Sequence, residues 1–177
     1  MKKIRLVLMF LLIAHLNYGQ YFTLTPDGFM SETKADYVVI EVPGAKKEDL
    51  YKNVLNAINS LYSHPQEGLS VLAGESITLN AYKRKAIKAS AGIMTYDYDV
   101  DYTLTFLFKD GKIRVNSPTF DASMKNYNGT WAKLDVSRAY FKKNGDPKSE
   151  KHLKGVNELF NGFVKNILDK SVKIDNW

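Results

Sequence analysis

The chain of 177 residues contains no cysteine. This absence excludes disulfide bonds, thiolate metal sites and a cysteine nucleophile. It also excludes a lipoprotein anchor, because that modification acylates a cysteine directly after the leader. Whatever holds this protein together must therefore be a packed core, and a chain of this length can bury one.

Long hydrophobic runs are also absent, except at the start of the chain. Lys2, Lys3 and Arg5 precede an apolar run from Leu6 to Ala14, and small or polar residues follow as far as Gly19-Gln20. A basic start, an apolar middle and a small residue at the cut form the layout of a secretory signal peptide. A membrane-spanning helix would need about 20 apolar residues, roughly twice this run.

We therefore predict a signal peptide over residues 1–19, cleaved near Gly19-Gln20, followed by a single domain over residues 20–177. No later segment is long and apolar enough to span a bilayer. Small secreted animal-type domains usually depend on disulfides. An exported chain without cysteine is instead typical of bacteria, so we expect this protein in the periplasm or outside the cell.

A strong charge of one sign is lacking in the mature chain. The formal net charge of +6 falls to about +3 when Lys2, Lys3 and Arg5 leave with the signal peptide. This bias is too weak to indicate nucleic-acid binding, and export argues further against it. The densest basic cluster, Lys83-Arg84-Lys85 with Lys88, is interpreted as a solvated edge strand rather than as a patch for anionic ligands.

Motifs of known catalytic chemistry are missing. The sequence has no nucleophile elbow, no P-loop and no dinucleotide-binding glycine pattern. The two histidines of the mature chain, His64 and His152, lack a metal-motif neighbour and are interpreted as exposed residues near helix ends. We predict no catalytic residues, no metal site and no cofactor, although a dispersed acid/base site stays open because such sites are recognised by geometry.

Three aspartates alternate along one segment: Asp97, Asp99 and Asp101. Calcium loops also begin with alternating acidic residues, but they need a glycine and a glutamate at positions occupied here by Tyr102 and Phe108. We therefore interpret the three carboxylates as solvent-exposed on one face of a strand. Because like charges repel, we expect a basic strand beside them, with Lys83 and Lys85 as candidates.

Hydrophobic periodicity predicts most of the secondary structure. Apolar residues spaced by three and four predict an amphipathic helix from about Lys46 to Tyr62, and a second one runs from Asp146-Pro147 to about Val172. Residues 21–35 are predicted to be a polar lead-in with a turn at Thr25–Gly28. Strands are predicted over the following ranges: Tyr37–Val42, Leu69–Ala73, Ser76–Lys88 and Asp97–Phe108.

Asp110-Gly111 predicts a two-residue hairpin turn, since both positions tolerate positive φ. That turn determines the register of the strands on either side. The predicted pairs are Lys109 with Lys112, Phe108 with Ile113, Leu107 with Arg114 and Phe106 with Val115. The apolar pairs then share one face and the polar pairs the other, as a half-buried sheet requires.

The region around 121–146 is predicted to be an irregular insertion with a short strand near Arg138–Lys142. It is rich in aromatic residues, which raises the possibility of glycan stacking on Trp131 and Tyr127, with Tyr98 of the strand Asp97–Phe108 as a third candidate. Burial in the core is the favoured alternative for these rings. Asn128-Gly129-Thr130 matches a glycosylation pattern, but in a bacterial chain a turn explains it better.

These elements predict an α+β fold: a curved antiparallel sheet of about four to six strands with two amphipathic helices packed on one face, in the order β-α-β-β-β-β-α. The other face of the sheet is left open. It would carry the residues that we predict as the binding surface: Thr103, Thr105, Leu107, Arg114 and Asn116.

With this element order, the chain resembles exported bacterial domains of unknown function that have a TATA-binding-protein-like fold. The residues that carry the resemblance are Leu24-Thr25-Pro26-Asp27-Gly28-Phe29, Leu50-Tyr51 and Phe108-Lys109-Asp110-Gly111-Lys112-Ile113-Arg114. It covers about residues 25–120 and the final helix, while residues 121–146 depart from it. The resemblance implies no catalytic residues, and the fold name implies no DNA binding.

Three functions are compatible with these observations. The favoured hypothesis is a non-enzymatic binding or interaction module of the bacterial envelope, whose partner is an envelope protein or a glycan. The first alternative is an envelope hydrolase with a dispersed acid/base pair in a concave pocket. The second is a structural component of the envelope.

Overall fold

The computed structural model describes residues 20–91 and 93–172. The predicted signal peptide over residues 1–19 lies outside the described residues. The strands are β1 (Thr23–Thr25), β2 (Gly28–Met30), β3 (Tyr37–Glu41), β4 (Leu69–Leu72), β5 (Ser76–Ala91), β6 (Met94–Lys109), β7 (Lys112–Asn116), β8 (Thr119–Lys125) and β9 (Trp131–Lys133). The helices are α1 (Lys47–Leu61), α2 (Val136–Tyr140) and α3 (Glu150–Val172), with a 3₁₀ turn at Pro65–Glu67.

A seven-stranded antiparallel sheet forms the body of the protein, so the predicted α+β class is confirmed. The strand order is β3-β7-β6-β5-β4. Strand β8 pairs with the part of β6 that β7 leaves unpaired, and β9 pairs with the other edge of β8. The sheet has one strand more than the upper end of the expected range. The additional strands are β8 and β9, which form from the region that was predicted to be irregular.

The β6–β7 hairpin has the predicted register at all four positions, from Lys109–Lys112 to Phe106–Val115. Gly111 has a φ of 71°, which the turn requires and which glycine adopts without strain. Asp110 has a second role, because its carboxylate accepts the Lys47 backbone N–H at 2.9 Å. The turn therefore also caps the positive end of α1.

The two long helices cover one face of the sheet. Both predicted apolar stripes are buried, in α1 through Leu50, Val54, Ala57 and Ile58 and in α3 through Leu153, Val156, Phe160, Val164, Ile167 and Leu168. They pack on the even-numbered residues of β6 from Tyr98 to Phe108, all of which are buried. This helix-covered face contains the core.

Helix α3 begins later than predicted. Pro147 forms an isolated β-bridge with Phe141, and the first helical residue is Glu150. The Ser149 hydroxyl accepts the His152 backbone N–H at 3.3 Å, as a capping residue does. The cap at Ser149, rather than the proline at Pro147, therefore determines where the helix starts.

The lead-in is not the polar segment that was predicted, because Phe22, Leu24 and Phe29 are buried in the core. Its residues form the β1–β2 hairpin around the predicted turn. The buried Asn161 side chain of α3 accepts the backbone N–H groups of Tyr21 and Phe22 and donates to the Phe22 carbonyl at 2.7 Å. The Asn161 amide thus satisfies backbone hydrogen-bonding groups of the lead-in that a neighbouring strand would otherwise satisfy.

The short strand predicted near Arg138–Lys142 is wrong, because residues 136–140 form α2. Asp135 accepts the Arg138 backbone N–H at 2.9 Å and so caps this helix. The turn of helix buries Tyr140, whose hydroxyl donates to the Lys88 carbonyl of β5 at 2.8 Å. Burial of the Tyr140 ring and its hydrogen bond to β5 thus hold α2 against the sheet.

Candidate functional site

The face of the main sheet opposite α1 and α3 is here called the open face. The structure brings together on it all five residues of the predicted binding surface. Leu107 and Arg114 are cross-strand partners, and Arg114 Nε donates to Asn116 Oδ1 at 2.9 Å. Thr103 donates to Asn80 Oδ1 at 2.7 Å, and the Thr105 hydroxyl lies 3.3 Å from that of Thr78. The five side chains are half-buried by their neighbours on the face.

Arg114 is held in a defined orientation on this face. Its guanidinium carbon lies 4.0 Å from the centre of the Tyr37 ring on β3, and Asn116 accepts from its Nε. Stacking and a hydrogen bond from Nε orient the guanidinium plane, which has further N–H donors for a planar acceptor. The nearby Glu41 is occupied by Lys112, 2.9 Å away. Among the described residues, no carboxylate forms an ion pair with Arg114.

The three alternating aspartates lie further along β6 on the same face, and their partners differ from those predicted. Asp97 forms an ion pair with Lys88 at 2.5 Å. Asp99 accepts the Tyr82 hydroxyl and the backbone N–H of Lys85, the latter at 2.7 Å. Lys83 instead points to the helix-covered face, where its ammonium lies 5.7 Å from the Phe163 ring.

A β-bulge between Lys83 and Ile87 explains why Asp99 accepts the Lys85 N–H, whereas Lys83 precedes the bulge, in regular register with Val100, and faces the helices by ordinary alternation. Lys85 has a φ of 49°, so the strict alternation assumed for the basic cluster breaks down there. The Tyr82 hydroxyl and the Lys85 N–H hold the pKa of Asp99 below its usual range, and the same hydrogen bond raises the pKa of Tyr82. The half-buried Asp99 carboxylate therefore serves first to hold the bulge.

A cleft of about 590 Å³ opens beside Asp101 and Asp121. These two aspartates are cross-strand partners on β6 and β8, and both are exposed. The loop of residues 62–68 forms one wall of the cleft. Gly68 is essential to that wall, because a Cβ atom there would lie only 1.9 Å from the Asn80 carbonyl oxygen. Asn80 donates its backbone N–H to Gly68 at 2.8 Å, which keeps the loop against the sheet.

The three candidate rings for glycan stacking separate into two groups. Tyr98 is buried, with 7% of its surface exposed, as the core alternative predicts. Core packing is the wrong expectation for the other two, since Trp131 is 56% exposed and Tyr127 fully exposed. Both lie in the β8–β9 hairpin, which extends the sheet beyond the area that the long helices cover. A hairpin at a sheet edge exposes rings that a central strand would bury.

The remaining candidates from the sequence behave as surface residues. His64 is exposed in the loop after α1, and His152 lies near the start of α3 with Nδ1 at 3.4 Å from the Ser90 hydroxyl. Lys83, Arg84, Lys85 and Lys88 are exposed on the part of β5 that extends past β4. Within residues 20–91 and 93–172, no group of three histidine or acidic side chains could hold a metal ion.

Sequence reasoning missed two residues of the open face. Asp121 lies beside Asp101 only because β8 pairs with β6. The sequence has no tight-turn signal from which that pairing could have been predicted. Tyr82 was not singled out, although its position two residues after Asn80 on an alternating strand already indicated the open face.

Among the described residues, no helix is long and apolar enough to cross a membrane.

Comparison with solved structures identifies the fold. The chain is similar to a DUF4468 family protein from Bacteroides ovatus, with a TM-score of 0.50, 12% identity, and coverage of 80% of this chain and 87% of that one. It is also similar to a TBP-like protein from Parabacteroides distasonis, with a TM-score of 0.54, 9% identity, and coverage of 78% and 92%. At these identities the likeness shows the fold alone.

The chain therefore has the TBP-like α+β fold of bacterial domains of unknown function, as the sequence resemblance implied. No protein-family model matches the sequence. No curated protein matches it either.

Proposed function

We propose that this protein is an exported, non-enzymatic binding module of the bacterial envelope and that its open face is the binding surface. The basic and apolar start of the chain supports export, and the lack of cysteine supports a bacterial envelope. The partner is an envelope protein or a glycan rather than a nucleic acid.

The single observation that carries the binding role is the state of Arg114. A half-buried cation, stacked on Tyr37 at 4.0 Å and without an ion-pair partner among the described residues, is oriented before any ligand arrives. Orientation in advance reduces the entropy lost on binding. The Thr103–Asn80 and Thr105–Thr78 contacts likewise hold polar side chains in place across the middle of the face.

Site-specific photo-crosslinking in intact cells tests this proposal. A photoreactive residue at Thr105 should capture a partner, whereas the same residue at Lys52, exposed on α1 on the opposite side of the sheet, should not. Adding Asn116→Glu to the Thr105 probe should abolish the capture and leave the melting temperature nearly unchanged. Equal capture from Thr105 and Lys52, or capture from Lys52 alone, would contradict the proposal.

Export has its own test, because the mature protein should begin near Gln20. Mass spectrometry of the protein recovered from the periplasm or the medium should give the mass of residues 20–177. Recovery of the full chain from the cytoplasm would refute export.

The cleft beside Asp101 and Asp121 supplies a place for the alternative function, an envelope hydrolase. Opposed side chains on neighbouring strands have Cβ atoms roughly 5 Å apart, close to the separation of the carboxyl groups in retaining glycosidases. Both aspartates are exposed, however, and so lack the apolar enclosure that a catalytic general acid usually has. Turnover of peptidoglycan fragments that is lost in Asp101→Asn would favour the hydrolase.

A structural envelope component, the remaining alternative, would capture no specific partner from either probe position.

A further inference from the structure

The open face carries opposite charges at its two ends. The basic end consists of Lys109, Lys112 and Arg114 and includes one acid, Glu41, which is bonded to Lys112. The acidic end consists of Asp99, Asp101 and Asp121; Asp99 is engaged by Tyr82 and Lys85 and lies near Arg84, so Asp101 and Asp121 carry the uncompensated charge of this end. Beyond the acidic end the charges alternate again, with Asp97 paired to Lys88. Between the two ends the face is neutral and carries mainly threonine and asparagine.

The two ends are placed symmetrically along β6. Arg114 is in register with Leu107 and Asp121 with Asp101, so each charge lies three residues from Leu104, on opposite sides. At about 3.4 Å per residue, this is about 10 Å in each direction. Lys109 and Asp99 are likewise each five residues from Leu104.

We propose that the open face binds a second copy of this chain, which turns the general binding role proposed above into self-association. A two-fold axis in the plane of the face, perpendicular to the strands near Leu104, places the basic end of each copy on the acidic end of the other. Arg114 of one copy then faces Asp121 of the second copy, and Lys109 faces Asp99. Both contacts occur twice, as an isologous interface requires.

Charge within the single chain supports this occupant. Asp101 and Asp121 are directly opposed like charges, an arrangement that destabilises a sheet by itself. A cation from a second copy would relieve that repulsion and at the same time give Arg114 the carboxylate it lacks. The neutral threonines in the middle of the face meet one another without a charge conflict.

The size of the face predicts a weak, salt-sensitive dimer. Four strands about 4.8 Å apart and ten residues of about 3.4 Å give a surface of roughly 650 Å² per copy. This is slightly below the area of about 800 Å² per partner in standard complexes. Much of the specificity would then come from the charge pairs, which salt screens.

Sedimentation of the purified protein with two complementary double variants tests the proposal. The wild type should dimerise at about 0.05 M salt and dissociate at about 0.5 M. Lys112→Glu/Arg114→Glu makes the basic end acidic, and Asp101→Lys/Asp121→Lys makes the acidic end basic. Each variant alone should associate at least about tenfold more weakly, because both Arg114–Asp121 contacts become repulsive. An equimolar mixture of the two variants should dimerise again, since every contact pairs opposite charges.

Lys52→Glu/Lys151→Glu is the matched control, with the same charge change as the first variant but at exposed positions on α1 and α3. It should dimerise as the wild type does, and circular dichroism should show that all variants are folded. A monomeric wild type at low salt, or a mixture no more associated than its components, would overturn the second-copy proposal. If crosslinking from Thr105 then still captured another protein, the general binding role would stand without it.

Discussion

The two faces of the main sheet are built from the same strands, and they differ in what holds their side chains. On β6, the residues from Tyr98 to Phe108 alternate between a buried member facing the helices and an outward member that is polar except at Leu107. The helix-covered face relies on apolar packing, centred on Phe160. The open face relies on hydrogen bonds such as Thr103–Asn80 and on charges. Stability should therefore reside mainly on the first face and recognition on the second.

The largest loss of stability is expected for Phe160→Ala. This side chain is completely buried and contacts the rings of Phe29, Phe120 and Tyr102. Its removal should lower the free energy of unfolding by about 3–5 kcal/mol, measured by denaturant titration. Tyr127→Ala, which removes a fully exposed ring, should change it by less than about 0.5 kcal/mol. Similar losses from both would contradict the assignment of the core.

A second large loss of stability is expected for Asn161→Leu, because this buried side chain acts through its hydrogen bonds and not through apolar packing. The change would remove the side-chain amide that accepts from the Tyr21 and Phe22 N–H groups and donates to the Phe22 carbonyl. We expect a loss of about 2–4 kcal/mol, together with faster proteolysis near residue 22. Asn166→Leu, an exposed position on the same helix, is the control and should be nearly neutral.

Two isosteric exchanges on β6 compare the faces directly. Val100→Thr puts a hydroxyl into the core and should cost about 1–3 kcal/mol. Thr105→Val removes a hydroxyl from the open face, with its contact to Thr78, and should cost less than about 1 kcal/mol. Chemical denaturation of both variants gives the ranking. A reversed order would mean that the open face is covered in the folded protein.

The smallest effect is expected from alkaline pH. Burial raises the pKa of Tyr102 and Tyr140 in the folded state above the value of about 10 in an unfolded chain. The unfolded state therefore loses these protons first, so stability is full below pH 10 and falls as the pH rises further. Melting temperatures from pH 8 to 11 should show this fall, and Tyr102→Phe/Tyr140→Phe should flatten it.

Much of the fold could be predicted because its signals are local. The β6–β7 register followed from Asp110-Gly111 and the alternation on either side, and all four predicted pairs are present. The helices followed from their apolar spacing. The start of α3 and the helix at Val136–Tyr140 were missed, because single capping residues, Ser149 and Asp135, decide those boundaries. Hydrophobic periodicity carries no information about a single capping hydrogen bond.

The candidate site was predicted only on its β6–β7 side. Thr103, Thr105, Leu107, Arg114 and Asn116 followed from the hairpin register, but Asp121 and Trp131 depend on how β8 and β9 join the sheet. The bulge at Lys85 also changed the partners of the aspartates, and its positive φ has no glycine to announce it. Pairing between distant segments is decided by competition for burial, which single residues do not reveal.

The sequence by itself determined the alternation of the strands, the two amphipathic helices, the central hairpin and the lack of disulfides, since each depends on neighbouring residues or on composition. Only the tertiary structure decided that Asn161 holds the lead-in, that Asp121 lies beside Asp101, and that the basic and acidic ends occupy one face. These features join residues that are far apart in the chain. Their positions follow from the packing of the whole sheet against α1 and α3.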